Sequence, residues 1–172
     1  MYLSVRDMET RKVHFDLAFL PGEIDFLDQT LRQSSALKVA GSAELLGTTH
    51  EIRVTGRLTV RMSADCDRCL EEAAYPLEQD FDLFYRPAPL DGAEEERELE
   101  EGAAQLGSYE GGGLELKEIL CEQVLLALPM QRVCRPDCKG ICPVCGQNRN
   151  QVQCDCRARP ADSRWAALKN WE

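Results

Sequence analysis

The feature that most constrains this chain is a run of closely spaced cysteines, Cys134-x3-Cys138-x3-Cys142-x2-Cys145-x8-Cys154-x-Cys156, with Cys66-x2-Cys69 far upstream. A two-residue gap makes a tight turn whose two sulfurs converge on one tetrahedral ion, each about 2.3 Å from it. Gly140, Pro143 and Gly146 supply the turn residues such knuckles need. One Cys-x2-Cys pair says little, whereas eight cysteines containing two such pairs argue for metal. A chain of 172 residues can bury enough surface to fold without covalent staples. Residues 1–9 contain no apolar core of signal-peptide length, and no run approaches the roughly 18 apolar residues of a membrane helix. The expected location is therefore cytoplasmic, where metal binding or redox chemistry outranks disulfides.

Eight ligands predict two four-cysteine sites. Cys142, Cys145, Cys154 and Cys156 close locally. Cys66 and Cys69 then pair with Cys134 and Cys138 across a long loop, whose closure entropy grows only slowly with length. One site with spare thiols is the alternative partition. Zinc is the expected cofactor, on ligand type and spacing; iron–sulfur clusters also use four cysteines. Closed sites leave no position for water or substrate, so the expected role is structural and the chain is not expected to be an enzyme. A dithiol redox role for Cys66 and Cys69 ranks lower, because no thioredoxin-like βαβ pattern surrounds them. His14 and His50 lie outside any metal or nucleophile motif, and no phosphate loop, nucleophile elbow or dinucleotide fingerprint occurs. No small-molecule substrate is expected. Cys121 reads as a small buried apolar residue of a helix.

Around the cysteines the pattern predicts an α+β fold: a mainly antiparallel β body with a few helices over residues 1–130, and a cysteine-rich zinc-binding tail over 131–172. Val13, Phe15, Leu17 and Phe19 alternate with more polar neighbours, a strand period. Ile24 to Arg32 reads as a short helical turn or an irregular crossing, and Leu37 to Leu46 as a strand. Ile52, Val54, Leu58, Val60 and Met62 share one face of a strand, with Arg53, Thr55, Arg57, Thr59 and Arg61 on the other. Tyr75 to Tyr85 repeats the alternation, which puts Cys66 and Cys69 in a hairpin-like connection. Residues 91–113 read as a flexible acidic loop. A helix is expected over 114–128, stopped by Pro129, and a terminal helix is expected from Asp162 as N-cap through Trp165, Leu168 and Trp171.

The net charge of −10 is uneven. Residues 131–172 carry eight Lys and Arg against four Asp and Glu, leaving −14 for residues 1–130. Each four-thiolate zinc site would contribute −2, so a basic patch on the tail must come from geometry, with cations facing out and sulfurs facing in.

Cys66-Asp67-Arg68-Cys69-Leu70, Leu126-Ala127-Leu128-Pro129 and Cys138-Lys139-Gly140-Ile141-Cys142-Pro143-Val144-Cys145-Gly146 together resemble the YceD family. The likeness extends to Asn148, Asn150, Cys154, Cys156 and Asp162-Ser163-Arg164-Trp165-Ala166-Ala167-Leu168. It implies a factor in accumulation of large-subunit ribosomal RNA during ribosome biogenesis, with ribosomal RNA or ribosome-assembly proteins as partners. Candidate RNA contacts are Arg53, Arg57, Arg61, Lys139 and Arg149; phosphate contacts from such residues make binding steeply salt-dependent. The alternative is a zinc-stabilised adaptor that binds a basic ribosomal or assembly protein through the acidic body without touching RNA.

Overall fold

The computed structural model describes residues 1–47, 50–88 and 106–156. The chain forms two compact units. The first comprises 1–64 and 74–130, and the second comprises 65–73 and 131–172. The connection 65–73 therefore groups with the C-terminal segment, not with the strands on either side of it.

The first unit is built on a six-stranded sheet. Its strands are β2 (Val13–Phe19), β3 (Arg32–Gln33), β4 (Leu37–Leu46), β5 (Glu51–Asp65), β6 (Glu72–Pro87) and β7 (Leu106–Tyr109). The spatial order is β2-β4-β5-β6-β7, with β3 also paired to β5. Pairing is antiparallel for β2·β4, β3·β5 and β4·β5, and parallel for β6·β7. A separate two-stranded ribbon joins β1 (Tyr2–Ser4) to β8 (Gly113–Glu115). Among its described residues two helices complete the unit, α1 (Val5–Thr10) and α2 (Leu116–Ala127).

Period-two alternation decides which face of the sheet is dry. Leu37, Val39 and Ala43 of β4 and Ile52, Val54, Leu58 and Met62 of β5 are at most 1 % exposed. Leu116, Ile119, Leu120 and Val124 of α2 join the same buried cluster. Their spacing of three, one and four puts them on one helix face. Each such side chain contributes about 1.5–3 kcal/mol by leaving water. Gln123 is the polar member of that face, and its Oε1 accepts from Gln79 Nε2 at 3.2 Å.

Gly41 and Gly56 face each other across β4 and β5. A Cβ on Gly41 would stand 2.2 Å from Thr55 O and 2.8 Å from Phe15 Cζ, and one on Gly56 would stand 2.7 Å from Phe81 Cζ. Aromatic rings from β2 and β6 thus close over backbone that glycine leaves bare, which is why the inward alternation of β5 skips a side chain at position 56.

Two arginines on the outward face of β5 are paired in place. Arg53 holds Asp82 with two bonds of 2.8 and 2.7 Å, and Arg57 holds Asp80 at 2.8 Å with Glu78 at 3.6 Å. Opposite charges on adjacent strands attract modestly when exposed to water. The Arg53 guanidinium also lies 5.5 Å from the Phe84 ring centre.

Several sequence expectations change. Leu106–Tyr109, read as part of the acidic loop, is strand β7, since Tyr109 is buried and the absent side chain of Gly107 makes room for the Tyr85 ring. Gly113–Glu115 is strand β8, so the helix begins at Leu116. Of the two forms open to Ile24 to Arg32, the irregular one is found over 24–31, with Leu31 N–H closing a turn on Asp28 O at 3.0 Å, and Arg32 enters β3. Cys121 is half-buried, not sealed in the core. Residues 91–105 of the acidic loop and the terminal helix expected from Asp162 lie outside the described residues.

Candidate metal centres

Eight cysteines of the second unit come together as two groups of four. Cys66, Cys69, Cys134 and Cys138 form one, and Cys142, Cys145, Cys154 and Cys156 the other, with all Sγ atoms of a group within 4.8 Å of one another. The grouping coincides with the partition expected from spacing. Cys66 and Cys138 Sγ lie 3.9 Å apart, and Cys69 and Cys134 Sγ 3.7 Å. Sulfurs at tetrahedral corners about 2.3 Å from an ion stand about 3.8 Å from each other. Each group could therefore hold one metal ion.

Two knuckles with matching backbone bonds set up this geometry. In Cys66-Asp67-Arg68-Cys69-Leu70-Glu71, Leu70 N–H donates to Cys66 O, and Cys66 N–H to Glu71 O, both at 2.8 Å. In Cys142-Pro143-Val144-Cys145-Gly146-Gln147, Gly146 N–H donates to Cys142 O, and Cys142 N–H to Gln147 O, again at 2.8 Å. The fifth residue must be left-handed, with φ 61° at Leu70 and 74° at Gly146. Glycine adopts this freely, while leucine pays roughly 1–2 kcal/mol. Leu70 is 64 % exposed, so no burial offsets that strain.

The segment after the first knuckle is tied to it. Asp67 N–H donates to Arg132 O at 2.7 Å, and Arg132 N–H to Asp67 Oδ2 at 2.6 Å. Ile141 N–H donates to Arg68 O at 2.8 Å, and Arg68 Nη1 to Cys138 O at 3.2 Å. Beyond the second knuckle, Ile141 bridges Asn148, and Arg149 N–H donates to Gly140 O at 2.9 Å. That pairing sets Lys139 and Arg149 close together on the backbone, both exposed.

Asn150 has a role that spacing alone does not show. Its Oδ1 accepts from Lys139 N–H at 2.8 Å, and its Nδ2 donates to Cys138 Sγ at 3.3 Å. This bond is the chief reason the Cys138 thiol sits below its usual range. Groups that orient a ligand tune metal affinity 10–100-fold. Asn150→Ala is expected to weaken metal binding at the first group by about that factor and to leave the second group unchanged. Competition titration against a chromophoric chelator reads the two groups separately, and equal weakening of both would refute this role for Asn150.

Electrostatics inside each group shows why a cation belongs there. Burial pushes the Cys66 thiol up, but the backbone N–H groups of Cys134, Arg68 and Cys69 outweigh it and hold it at about 6. Burial and the neighbouring sulfurs push Cys134 up to about 12. In the second group the N–H groups of Cys145 and Val144 bring Cys142 down to about 6, while the adjacent Cys145 sulfur drives Cys156 up to about 12. Anions this close repel, and a divalent ion removes the conflict by making all four thiolates favourable. The donor set is all sulfur, with no carboxylate or imidazole in either group.

Comparison with known proteins adds to this geometry. A family model described as "Large ribosomal RNA subunit accumulation protein YceD" matches residues 54–171, which include all eight of these cysteines. The chain belongs to the YceD family. The chain is similar to an uncharacterized protein of Mycobacterium tuberculosis (strain H37Rv), 31 % identical over 118 residues, covering 68 % of this chain and 54 % of the relative. Another is the large ribosomal RNA subunit accumulation protein YCED homolog 1, chloroplastic, of Zea mays, 27 % identical over 134 residues, covering 63 % and 45 %. Its namesake in Arabidopsis thaliana is 23 % identical over 150 residues, covering 75 % and 47 %. The chain spans about half the length of these relatives. No solved structure gives a significant match. The YceD name associates the family with accumulation of the large ribosomal RNA subunit. Among the described residues, no helix is long and apolar enough to cross a membrane.

Of the candidate RNA contacts, Arg53 and Arg57 are the ion-paired residues of the first unit. Arg61 of β5 is exposed with no described carboxylate in salt-bridge range, and the same holds for Lys139 and Arg149 in the second unit. Neither the bond from Asn150 to Cys138 nor the left-handed Leu70 is legible from cysteine spacing. Aligning Cys66-Asp67-Arg68-Cys69-Leu70 on Cys142-Pro143-Val144-Cys145-Gly146 reveals the second, because Leu70 falls where the other knuckle has glycine.

Proposed function

We propose that this chain supports the accumulation, processing or stability of large-subunit ribosomal RNA in the cytoplasm, without catalysing a reaction, and that two zinc ions hold its second unit together. The family match over residues 54–171 carries this reading. Zinc is supported by sulfurs one tetrahedral edge apart, which leave room for a single ion and not for a cluster of several irons. Four thiolates close the coordination sphere, so the metal would brace the chain and offer no site for substrate.

RNA would be met through phosphates. Lys139, Arg149 and Arg61 are the residues best placed for this, since their charges are not already engaged by described carboxylates. Arg53 and Arg57 would contribute only where a phosphate displaces Asp82 or Asp80. Neutralising Arg61, Lys139 and Arg149 together is expected to weaken binding to a large-subunit ribosomal RNA fragment. It should also reduce the steepness of the salt dependence by about 0.7–0.9 for each phosphate left without its cation. Fluorescence anisotropy across a salt series measures both, and an unchanged affinity and slope would sink these residues as RNA contacts. The acidic charge of residues 1–130 favours the second reading, an adaptor for a basic ribosomal or assembly protein; association with ribosomal particles that survives nuclease would decide for it.

A further inference from the structure

The helix α2 has a second face that the core does not use. Its residues Glu118, Cys121, Glu122, Leu125 and Leu126 are spaced i, i+3, i+4, i+7 and i+8, the signature of one continuous stripe. From Glu118 to Leu126 the stripe runs about 12 Å. It forms one wall of a groove of about 690 Å³ whose other wall is Ile24, Asp25 and Leu27. Both walls belong to the first unit.

The groove has an apolar floor and an anionic rim. Leu126 is 69 % exposed and Leu27 is 83 % exposed. Cys121 and Leu125 are half-buried below them. Five carboxylates surround this floor, Glu23, Asp25, Glu115, Glu118 and Glu122, against one cation, Lys117. The cation is already occupied, because its Nζ donates to Glu23 O at 2.9 Å and lies 5.7 Å from the Phe19 ring centre. Glu115 is paired with the chain's amino terminus at 2.7 Å. Glu118 and Glu122 stand one turn apart with no described cation in salt-bridge range, a like-charge pair that destabilises an isolated helix. Apolar surface and uncompensated anions on one stripe call for an occupant that is apolar and cationic together.

We infer that this groove binds a cationic amphipathic helix of another protein, with leucine-like side chains seated over Cys121, Leu125 and Leu126 and Lys or Arg meeting Glu118, Glu122 and Asp25. The mode is a helix laid in a groove, with apolar anchors for affinity and rim charges for orientation. It requires no RNA and does not depend on the RNA contacts proposed for the chain.

The test uses the full zinc-loaded chain and a fluorescein-labelled synthetic peptide with Leu and Arg at helical i, i+3 and i+4 spacing. A scrambled peptide of the same composition serves as control. Saturable anisotropy is expected for the patterned peptide. E118K/E122K and, separately, Leu126→Ser are each expected to weaken it about tenfold or more, and neither should alter the circular dichroism. Equal binding of the scrambled peptide would reduce the effect to bulk charge attraction and overturn the inference. So would binding that appears only after removal of residues 157–172, which would assign the groove to the chain's own end. A change in ribosomal RNA affinity with no change in peptide affinity would overturn it as well.

Discussion

If the two cysteine groups hold zinc as proposed, stripping the metal with a strong chelator is expected to unfold the second unit and leave the first folded. Among its described residues the second unit has one isolated bridge and no helix. Its buried cluster is Cys66, Cys69 and Cys138 with Val133 packed beside them. The core of this unit is thus its sulfur donors, and without an ion they repel where they should pack. Structural zinc in such segments supplies about 10–16 kcal/mol of apparent binding energy, which is folding energy for the segment. The first unit keeps its own core of β4, β5 and α2 side chains. Hydrogen exchange separates the two. The amides of Leu70, Ile141, Cys142, Gly146 and Arg149 should lose protection by about a thousandfold or more, which a loss of roughly 4 kcal/mol already gives. The β4 and β5 amides should hardly change. Retained protection at both knuckles after the metal is gone would overturn the structural reading of the cysteines.

The second large effect is expected in the first unit, at the glycine pair. Gly41→Ala places a methyl 2.2 Å from Thr55 O and 2.8 Å from Gly56 Cα, both backbone atoms that cannot turn aside. Either the strands separate or the Phe15 ring lifts off. Overpacking of this kind destabilises by about 3 kcal/mol, a fall in melting temperature of roughly 6–12 °C for a chain of this size. Gly112→Ala is the matched control, since its new methyl would meet only Tyr2 Oη at 3.8 Å. Thermal unfolding of the two variants settles the point; equal melting temperatures would show that the sheet yields at Gly41.

Much of the first unit was legible because its signals are local. The limits of β4, Leu37–Leu46, follow from hydrophobic alternation, and α2 follows from its apolar face and Pro129. Elements whose signal is one side chain were missed. β1 buries Leu3 and α1 buries Met8, and one buried residue has no period to read. β7 was missed because its partner β6 lies parallel and distant in sequence, and its residues are embedded in a glycine-rich acidic stretch.

The same division holds for chemistry. Local order along the chain was enough to point to the two candidate groups: eight thiols, two Cys-x2-Cys knuckles, and a glycine, Gly146, free to take the left-handed position of the second knuckle. These are properties of neighbouring residues, so spacing suffices. It took the folded chain to bring Asn150 to Cys138, to set Asp82 and Asp80 against Arg53 and Arg57, and to leave an acidic, apolar stripe of α2 outside the core. Each of these depends on which distant segments lie side by side and in what register. A one-residue slip would turn every side chain of a strand to the opposite face, so no local pattern can specify them.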